Sequence, residues 1–217
     1  MLMNKAEEDY LKMIYELNTS QSAPYIKTSY LADKFGYTAQ SVNEMVKRMA
    51  QKDLLVFEPY KGVKLTATGQ KEALRMIRAH RLWEVFLHEK LELGWESLHE
   101  EAERLEHATS DEVLERLYVY LDKPAYCQHG NPIPDKHGHV AKETHQSLFD
   151  AQEKQYFTVK RVLDYKHLLE YLNTIDLSIG DKVYVEFTDR FGGIVHIQKD
   201  GIRIPVGKNV AEMIYGT

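Results

Sequence analysis

Histidines and carboxylates at helical spacing are the residues of this chain whose types and positions could do chemistry. Four of them fall within one short segment: His99, Glu103, Glu106 and His107. Their spacings of four, three and one place them within a sector of about 100° on a single helix. His80 and Glu84 form a further pair at i and i+4. One such pair is more often a solvated salt bridge than a metal site, but two sets on consecutive helices favour a divalent cation.

A loop rich in glycine and proline, residues 126–140, adds a third candidate donor set with Cys127 and His129. Nucleophilic catalysis by this Cys and His is the alternative, but two loop residues with one residue between them point apart about as often as together. The zinc-protease motif HExxH fails, because Glu92 and Glu103 stand where a second histidine is needed. A single cysteine also excludes an internal disulfide framework and a cysteine-only metal cluster.

The charge of the chain is distributed unevenly along its length. The 217 residues carry a net charge of −5, but residues 76–157 hold 9 Lys and Arg against 16 Asp and Glu, together with 8 of the 10 histidines. This acidic, imidazole-rich stretch has the side chains that bind a divalent cation. The alternative is that it forms a solvated acidic surface on helices. Residues 1–75 are mildly basic, with 11 Lys and Arg against 9 Asp and Glu, so a nucleic-acid-binding role is expected only there.

A winged helix-turn-helix is predicted for residues 1–73. The predicted elements are helices over residues 7–17, 28–35 and 39–52 and strands over residues 54–57 and 62–65. Gly36 ends the second helix, and the third carries its apolar residues on one face. This order of elements is typical of DNA-binding domains in which the helix after the turn, here 39–52, enters the major groove. A small helical core without DNA-binding activity would have the same order of elements.

Two groups of side chains are predicted to contact DNA. Those near base edges are Thr38, Gln40, Ser41 and Glu44. Those near phosphates are Lys47, Arg48, Lys61 and Lys64, for which ordinary solvent exposure is the alternative.

Two further domains are predicted after the DNA-binding domain. Residues 74–150 are predicted to form a helical domain. The predicted helices cover residues 68–91, 97–107 and 110–121, so the first begins before the domain boundary, and the apolar stripe of the last is either core or a subunit interface. Residues 156–217 alternate like strands and predict a small β-barrel domain. The expected fold class is therefore mainly α with a small β domain.

Four stretches together resemble the DtxR/MntR family of metal-dependent transcriptional repressors over nearly the whole chain. They are EDYLKMIY from residue 8, HRLWEVF from residue 80, HEEAERLEH from residue 99 and CQHGNPIP from residue 127. The resemblance implies a winged helix-turn-helix, a helical metal-binding and dimerisation domain, and a C-terminal SH3-like barrel that resembles FeoA.

The resemblance also implies two metal sites. The first would use Asp9, Glu103, Glu106 and His107, with His80 close by. The second would use Glu84, Cys127, His129 and Asp164, as in the streptococcal manganese repressors of this family, and His99 matches a ligand of the iron-responsive members. Lys12 stands where the short manganese repressor of bacilli has a glutamate ligand, which argues against a two-metal cluster of that type.

The expected function is that of a repressor with Mn(II) as co-repressor. Asp9 and Glu103 replace the softer Met and Cys of iron-responsive members, which favours Mn(II), although Fe(II), Zn(II) and Co(II) bind such sites more tightly. The cation would link the first helix to the helix of Glu106, and a symmetric dimer would bind a palindromic double-stranded operator. The expected location is the cytoplasm, with no membrane partner and no small organic substrate.

Three alternatives remain open at this point. One is an iron-responsive repressor of the same fold. A small metallohydrolase would need an open coordination position and a general base, for which no obvious residue is left. A thiol-based regulator would sense through Cys127 and would be indifferent to metal chelation.

Overall fold

The computed structural model describes residues 3–21, 24–142 and 144–217. The helices within these ranges are α1 (Lys5–Gln21), α2 (Thr28–Phe35), α3 (Ala39–Gln51), α4 (Ala67–Leu91), α5 (Trp95–Glu106), α6 (Asp111–Tyr120), α7 (Lys166–Thr174) and α8 (Lys208–Ala211). The strands are β1 (Leu55–Glu58), β2 (Gly62–Leu65), β3 (Gln146–Ser147), β4 (Gln155–Val162), β5 (Lys182–Asp189), β6 (Ile194–Lys199), β7 (Ile202–Gly207) and β8 (Ile214–Gly216).

Backbone contacts divide the chain into two compact units. Unit 1 comprises Met1–His80, Glu106–Thr109 and Pro134–His139, and unit 2 comprises Arg81–Leu105, Ser110–Ile133 and Val140–Thr217. None of the described helices is both long enough and apolar enough to cross a lipid bilayer.

Unit 1 contains the winged helix-turn-helix. Apolar side chains three and four residues apart on α1 and α3 are fully buried against α2 and the two strands, which is the packing that their spacing predicts. Gly36 caps α2 with φ at +66°, a conformation that costs glycine no steric strain. Thr38 then begins α3 by accepting a hydrogen bond from the Ser41 amide.

The wing is the antiparallel hairpin β1–β2, in register from Leu55 opposite Leu65 to Glu58 opposite Gly62. Ile26, in the segment before α2, pairs with Val63 and so extends the hairpin by one bridge. The turn between the strands leaves Tyr60 fully exposed. The fold thus presents the exposed part of α3 and the wing while its apolar faces are covered.

Unit 2 contains the C-terminal sheet and most of α5 and α6. The sheet has six antiparallel strands in the order β3-β8-β4-β5-β6-β7, with α7 and α8 packed on its core. Valines and isoleucines that alternate along β4, β5 and β6 are buried, as the period of two predicts. On α6, Leu114 and Leu117 are buried within the chain, so that part of the apolar stripe is core and not a subunit interface.

The boundaries of α5 differ from those predicted. The helix begins at Trp95 and ends at Glu106, so His107 lies in the turn that follows it. The backbone of His107 is therefore not helical, unlike that of His99, Glu103 and Glu106.

Candidate metal centres and nucleic-acid interface

The first cluster of candidate ligands lies in unit 1, where α1 meets the end of α5. Asp9, Glu106 and His107 each place one donor atom within 4.8 Å of the others'. Asp9 Oδ1 lies 3.0 Å from His107 Nε2, which is also 3.6 Å from Glu106 Oε1. Glu103, the fourth predicted ligand, is one helical turn before Glu106 on α5 and is half-buried.

Glu8 orients the imidazole of His107. His107 Nδ1 donates a hydrogen bond to Glu8 Oε2 at 2.7 Å, and this directs Nε2 towards Asp9. A carboxylate behind the imidazole is the arrangement that fixes the ring of metal-ligating histidines. Glu8 was not predicted to belong to a site, although its position next to Asp9, in the first turn of α1, was a usable signal.

Lys12 and His80 complete the surroundings of Glu106. The Lys12 ammonium lies 3.1 and 3.0 Å from the two carboxylate oxygens of Glu106, and 3.1 Å from His80 Nδ1. His80 Nδ1 is itself 2.5 Å from Glu106 Oε2, and the side chains of His80 and Glu106 are almost completely buried. His80 therefore lies close to the first cluster, through its contact with Glu106.

The second cluster lies in unit 2 and is more deeply buried. Glu84 on α4 and Cys127 and His129 in the loop after α6 place donor atoms within 4.8 Å of one another, and all three side chains are buried. His129 Nδ1 lies 3.2 Å from Glu84 Oε1 and 3.5 Å from Asp164 Oδ1. His99 Nδ1 lies 3.3 Å from the same Asp164 oxygen. The predicted members of the second site are thus adjacent, and His99 joins them through Asp164.

The loop that carries Cys127 and His129 is held against strand β4. Val162 donates its amide to the His129 carbonyl at 3.0 Å, and the Asn131 amide group donates to the Val162 carbonyl at 3.0 Å. Gly130 between them has φ at +72°, and a Cβ there would lie 2.0 Å from the Lys160 carbonyl oxygen. Only glycine allows this close approach of the loop to β4. In this position of the loop, the side chains of Cys127 and His129 lie next to Glu84.

The carboxylates of the second cluster stabilise positive charge on His129. Burial by itself lowers the pKa of His129, but hydrogen bonds with Cys127 and Glu84 and the charges of Glu84 and Asp164 raise it to about 11. Burial, and then the Glu84 charge, raise the pKa of the Cys127 thiol. A buried, protonated thiol is a poor nucleophile and a poor redox sensor, so these surroundings disfavour the thiol-regulator alternative.

The donor sets of both clusters fit a divalent cation of intermediate hardness. The first offers carboxylate oxygens and one imidazole nitrogen, and the second offers a carboxylate, an imidazole and a thiol sulfur. In the first cluster, the hydrogen bond to Glu8 leaves the lone pair of His107 Nε2 facing a carboxylate oxygen at 3.0 Å. Two such acceptors at that distance require a proton or a metal ion between them.

The predicted DNA-contacting side chains are exposed on α3 and on the wing. They are Thr38, Gln40, Ser41, Glu44, Lys47, Arg48, Lys61 and Lys64. Thr38 Oγ1 lies 3.0 Å from Ser41 Oγ, and Gln40 donates to Glu44 at 3.1 Å, so these four are linked in pairs. Lys61 forms an ion pair with Glu58 at 2.6 Å, which positions its charge on the wing.

Glu7 is a buried carboxylate that was not predicted from the sequence. It accepts hydrogen bonds from Lys52, with Nζ 2.6 and 2.8 Å from its two oxygens, and lies 3.5 Å from Arg48 Nε. Burial raises the pKa of Glu7, but the hydrogen bond from Lys52 and the nearby positive charges outweigh this effect and lower it. No periodicity links residues 45 positions apart, so only the fold could reveal this contact.

Three consecutive segments, which together cover nearly the whole chain, match known protein families. Residues 1–63 match the N-terminal DNA-binding domain of the iron-dependent repressors, and residues 66–135 match their metal-binding and dimerisation domain. Residues 146–217 match the FeoA domain.

Individual relatives agree with these matches. The diphtheria toxin repressor of Corynebacterium jeikeium is 37% identical over 127 residues, which are 58% of this chain and 52% of that protein, so the match spans about half of that relative's length. The structure of the manganese regulator SloR is 39% identical, with a TM-score of 0.85 over 100% of this chain and 99% of SloR. ScaR with bound Cd2+ is 36% identical, with a TM-score of 0.88 over 97% and 98% of the two chains.

These matches establish the predicted fold class, a winged helix-turn-helix followed by helices and a FeoA-like, SH3-like domain. The iron-dependent repressors and the similar solved structures are DNA-binding transcriptional repressors and not enzymes, which removes the metallohydrolase alternative. The chain belongs to the iron-dependent repressor (DtxR/MntR) family of metal-dependent transcriptional repressors.

Proposed function

We propose that this protein is a manganese-dependent repressor that binds a two-fold symmetric DNA operator as a homodimer. Manganese is favoured over softer metals because the first cluster offers carboxylates and an imidazole but no sulfur. The relatives SloR and ScaR are described as a manganese regulator and a manganese-activated repressor, which supports the same choice. The iron-responsive function remains the alternative within the family.

The observation that carries the proposal is the contact between α1 and the residues at the end of α5. Asp9 belongs to the helix whose Leu11 and Ile14 pack in the core of the winged helix-turn-helix, whereas Glu106 and His107 follow from the next helical region. When bound, a divalent cation supplies the positive charge that offsets repulsion between these carboxylates. The residues then hold α1 in one position, so the metal-bound state has the higher affinity for DNA.

Each predicted domain has its own proposed role. Residues 1–73 would bind DNA through α3 and the wing, and residues 74–150 would hold metal and form the dimer. On α6, Val113, Val119 and Tyr120 are exposed apolar side chains that a partner subunit could cover. Residues 156–217 would support the second cluster through Asp164. The expected location of this DNA binding is the cytoplasm.

The proposal is tested by DNA selection followed by gel shift. Random duplexes are selected with the full chain and Mn(II), and we expect the enriched sequence to be two-fold symmetric. On that duplex, Mn(II) should raise the affinity by at least about tenfold over a chelator control, in line with coupling free energies of 1–3 kcal/mol. A parallel series with Fe(II), Zn(II) and Co(II) compares the metals directly.

Variants of the first cluster make the test specific. Asp9→Ala and Glu106→Ala should lose the Mn(II) response while circular dichroism shows an intact fold. Glu170→Ala is the matched control, because Glu170 is an exposed carboxylate on α7 that pairs with His167 on the surface of its own helix. An affinity for DNA that is the same with Mn(II) and with chelator would refute the proposal.

A further inference from the structure

The first turn of α1 has contacts on two sides. Glu8 and Asp9 contact His107 of the first cluster at 2.7 and 3.0 Å. Glu7, the residue immediately before them, contacts Lys52 and Arg48 at the C-terminal end of α3. Three consecutive residues therefore connect the candidate metal ligands to the helix that is predicted to read DNA, and all of these groups belong to unit 1.

The backbone of this turn is tightly fixed. Asn4 Oδ1 accepts a hydrogen bond from the Glu7 amide at 3.0 Å, and Glu7 Oε2 accepts one from the Asn4 amide at 3.2 Å. This reciprocal pair is a capping box, which satisfies two amides at the start of the helix. A displacement of Glu8 and Asp9 therefore moves the Glu7 carboxylate with them, because no flexible residue separates the three.

The contact of Glu7 with α3 is buried at the carboxylate and directional. The Glu7 side chain has no exposed surface, and the Lys52 ammonium approaches both of its oxygens. Arg48 points its Nε towards Glu7 at 3.5 Å, while about half of its side-chain surface stays exposed. Glu7 thus fixes the direction of a guanidinium that is predicted to bind a DNA phosphate.

We propose that Glu7 is the positioning residue that transmits the state of the first cluster to the recognition helix α3. This inference rests on the proposed metal dependence. With a cation at the cluster, Glu8 and Asp9 hold the first turn of α1 in place, and Glu7 holds Lys52 and Arg48. Without one, the Asp9 carboxylate and the lone pair of His107 Nε2, 3.0 Å apart, repel each other and displace the turn, and the C-terminal end of α3 loses its anchor.

The test is the variant Glu7→Gln in the full chain, with two separate readouts. The Mn(II) dissociation constant, measured by titration calorimetry without DNA, should stay within about threefold of the wild-type value, because Glu7 is not among the candidate ligands. The gain in DNA affinity on adding Mn(II) should fall by at least about tenfold, because the contact of Glu7 with Lys52 and Arg48 couples metal binding to DNA binding. This gain is measured on the duplex selected by the wild-type chain. Hydrogen exchange of residues 48–53 should no longer respond to Mn(II).

A double-mutant cycle separates this role from a general loss of stability. Lys52→Gln should reduce the gain as Glu7→Gln does, and the double variant should lose no more than either single variant. Lys52→Arg keeps the cation and should retain the gain, and Asp33→Asn on α2 is the control for loss of an exposed carboxylate. If Glu7→Gln fails to fold, Lys52→Gln tests the same contact, and it changes a side chain that is partly exposed.

The outcomes distinguish this inference from the proposed function. A wild-type chain whose DNA affinity does not respond to Mn(II) would refute the proposed function itself. A wild-type response that persists unchanged in Glu7→Gln and Lys52→Gln would overturn only the role of Glu7. Additive losses in the double variant would also overturn it, because they would show two independent contributions.

Discussion

The ammonium of Lys12 lies 3.0 Å from Glu106 Oε2, inside the first cluster and not at its edge. The Lys12 side chain is only 11% exposed, and the same nitrogen is 3.1 Å from His80 Nδ1. One positive charge of the protein therefore already lies between the Glu106 carboxylate and the His80 imidazole. A second divalent ion at that position would meet a like charge a few ångströms away.

Removal of this charge should raise the number of ions bound. In Lys12→Met, the His80 and Glu106 donors become available, and we expect one more Mn(II) per chain than in the wild type. Equilibrium dialysis with elemental analysis measures the count, and loss of the six-line Mn(II) resonance signal would report two coupled ions about 4 Å apart. Lys12→Arg should bind the wild-type number, and an equal count in Lys12→Met would contradict the prediction.

Glu8 should control metal affinity without being a required ligand. Glu8→Gln keeps the size of the side chain but removes the charge that orients His107, and loss of such an orienting group typically weakens metal binding by about 10–100-fold. Calorimetric titration with Mn(II) measures the change. Glu101→Gln on the exposed part of α5 serves as the control, and a Glu8→Gln affinity equal to that of the control would exclude the orienting role.

Thr38 should affect DNA binding partly through the stability of α3. Its hydroxyl accepts from the Ser41 amide at 3.2 Å, so Thr38→Ala removes an N-cap worth about 1 kcal/mol. Urea unfolding should show that loss, whereas Thr38→Ser should retain the cap and nearly all of the stability. If Thr38→Ser nonetheless weakens DNA binding as much as Thr38→Ala, the methyl group contacts the operator directly.

The helices of the fold and the types of the site residues could be predicted because both are local properties of the sequence. Leu11 and Ile14 on α1, or Val42, Val46 and Met49 on α3, reveal their buried faces by spacing alone. Glu106 and His107 could be grouped by the same argument, although the end of α5 at Glu106 could not be located to the residue.

The partners of these residues could not be predicted from spacing, because they depend on long-range packing. Lys12 meets Glu106 across 94 positions, and Glu7 meets Lys52 across 45. Asp164 entered the predicted set through family resemblance alone, since neither composition nor periodicity relates it to His129 or His99. A contact of this kind follows from the way elements pack and has no periodic signature.

The raised pKa of His129 predicts how the metal-free chain responds to pH. The folded-state pKa of about 11 lies above the ordinary value of 6.5, so the stabilisation by protonated His129 is complete below about pH 6.5. It decreases as the pH rises from there and is lost above about pH 11. In the presence of chelator, the urea midpoint should therefore fall between about pH 6.5 and pH 9, and it should fall less in His129→Gln.

Manganese should reverse this dependence, because a metal ion and the proton compete for the same imidazole. At neutral pH, metal binding at the second cluster must displace the proton of His129, so Mn(II) affinity should rise with pH by up to about tenfold per unit for each proton released. Calorimetry in buffers of different ionisation enthalpy counts these protons. Mn(II) binding that releases no proton at pH 7 would show that His129 is not a ligand, because a protonated imidazole has no lone pair to donate.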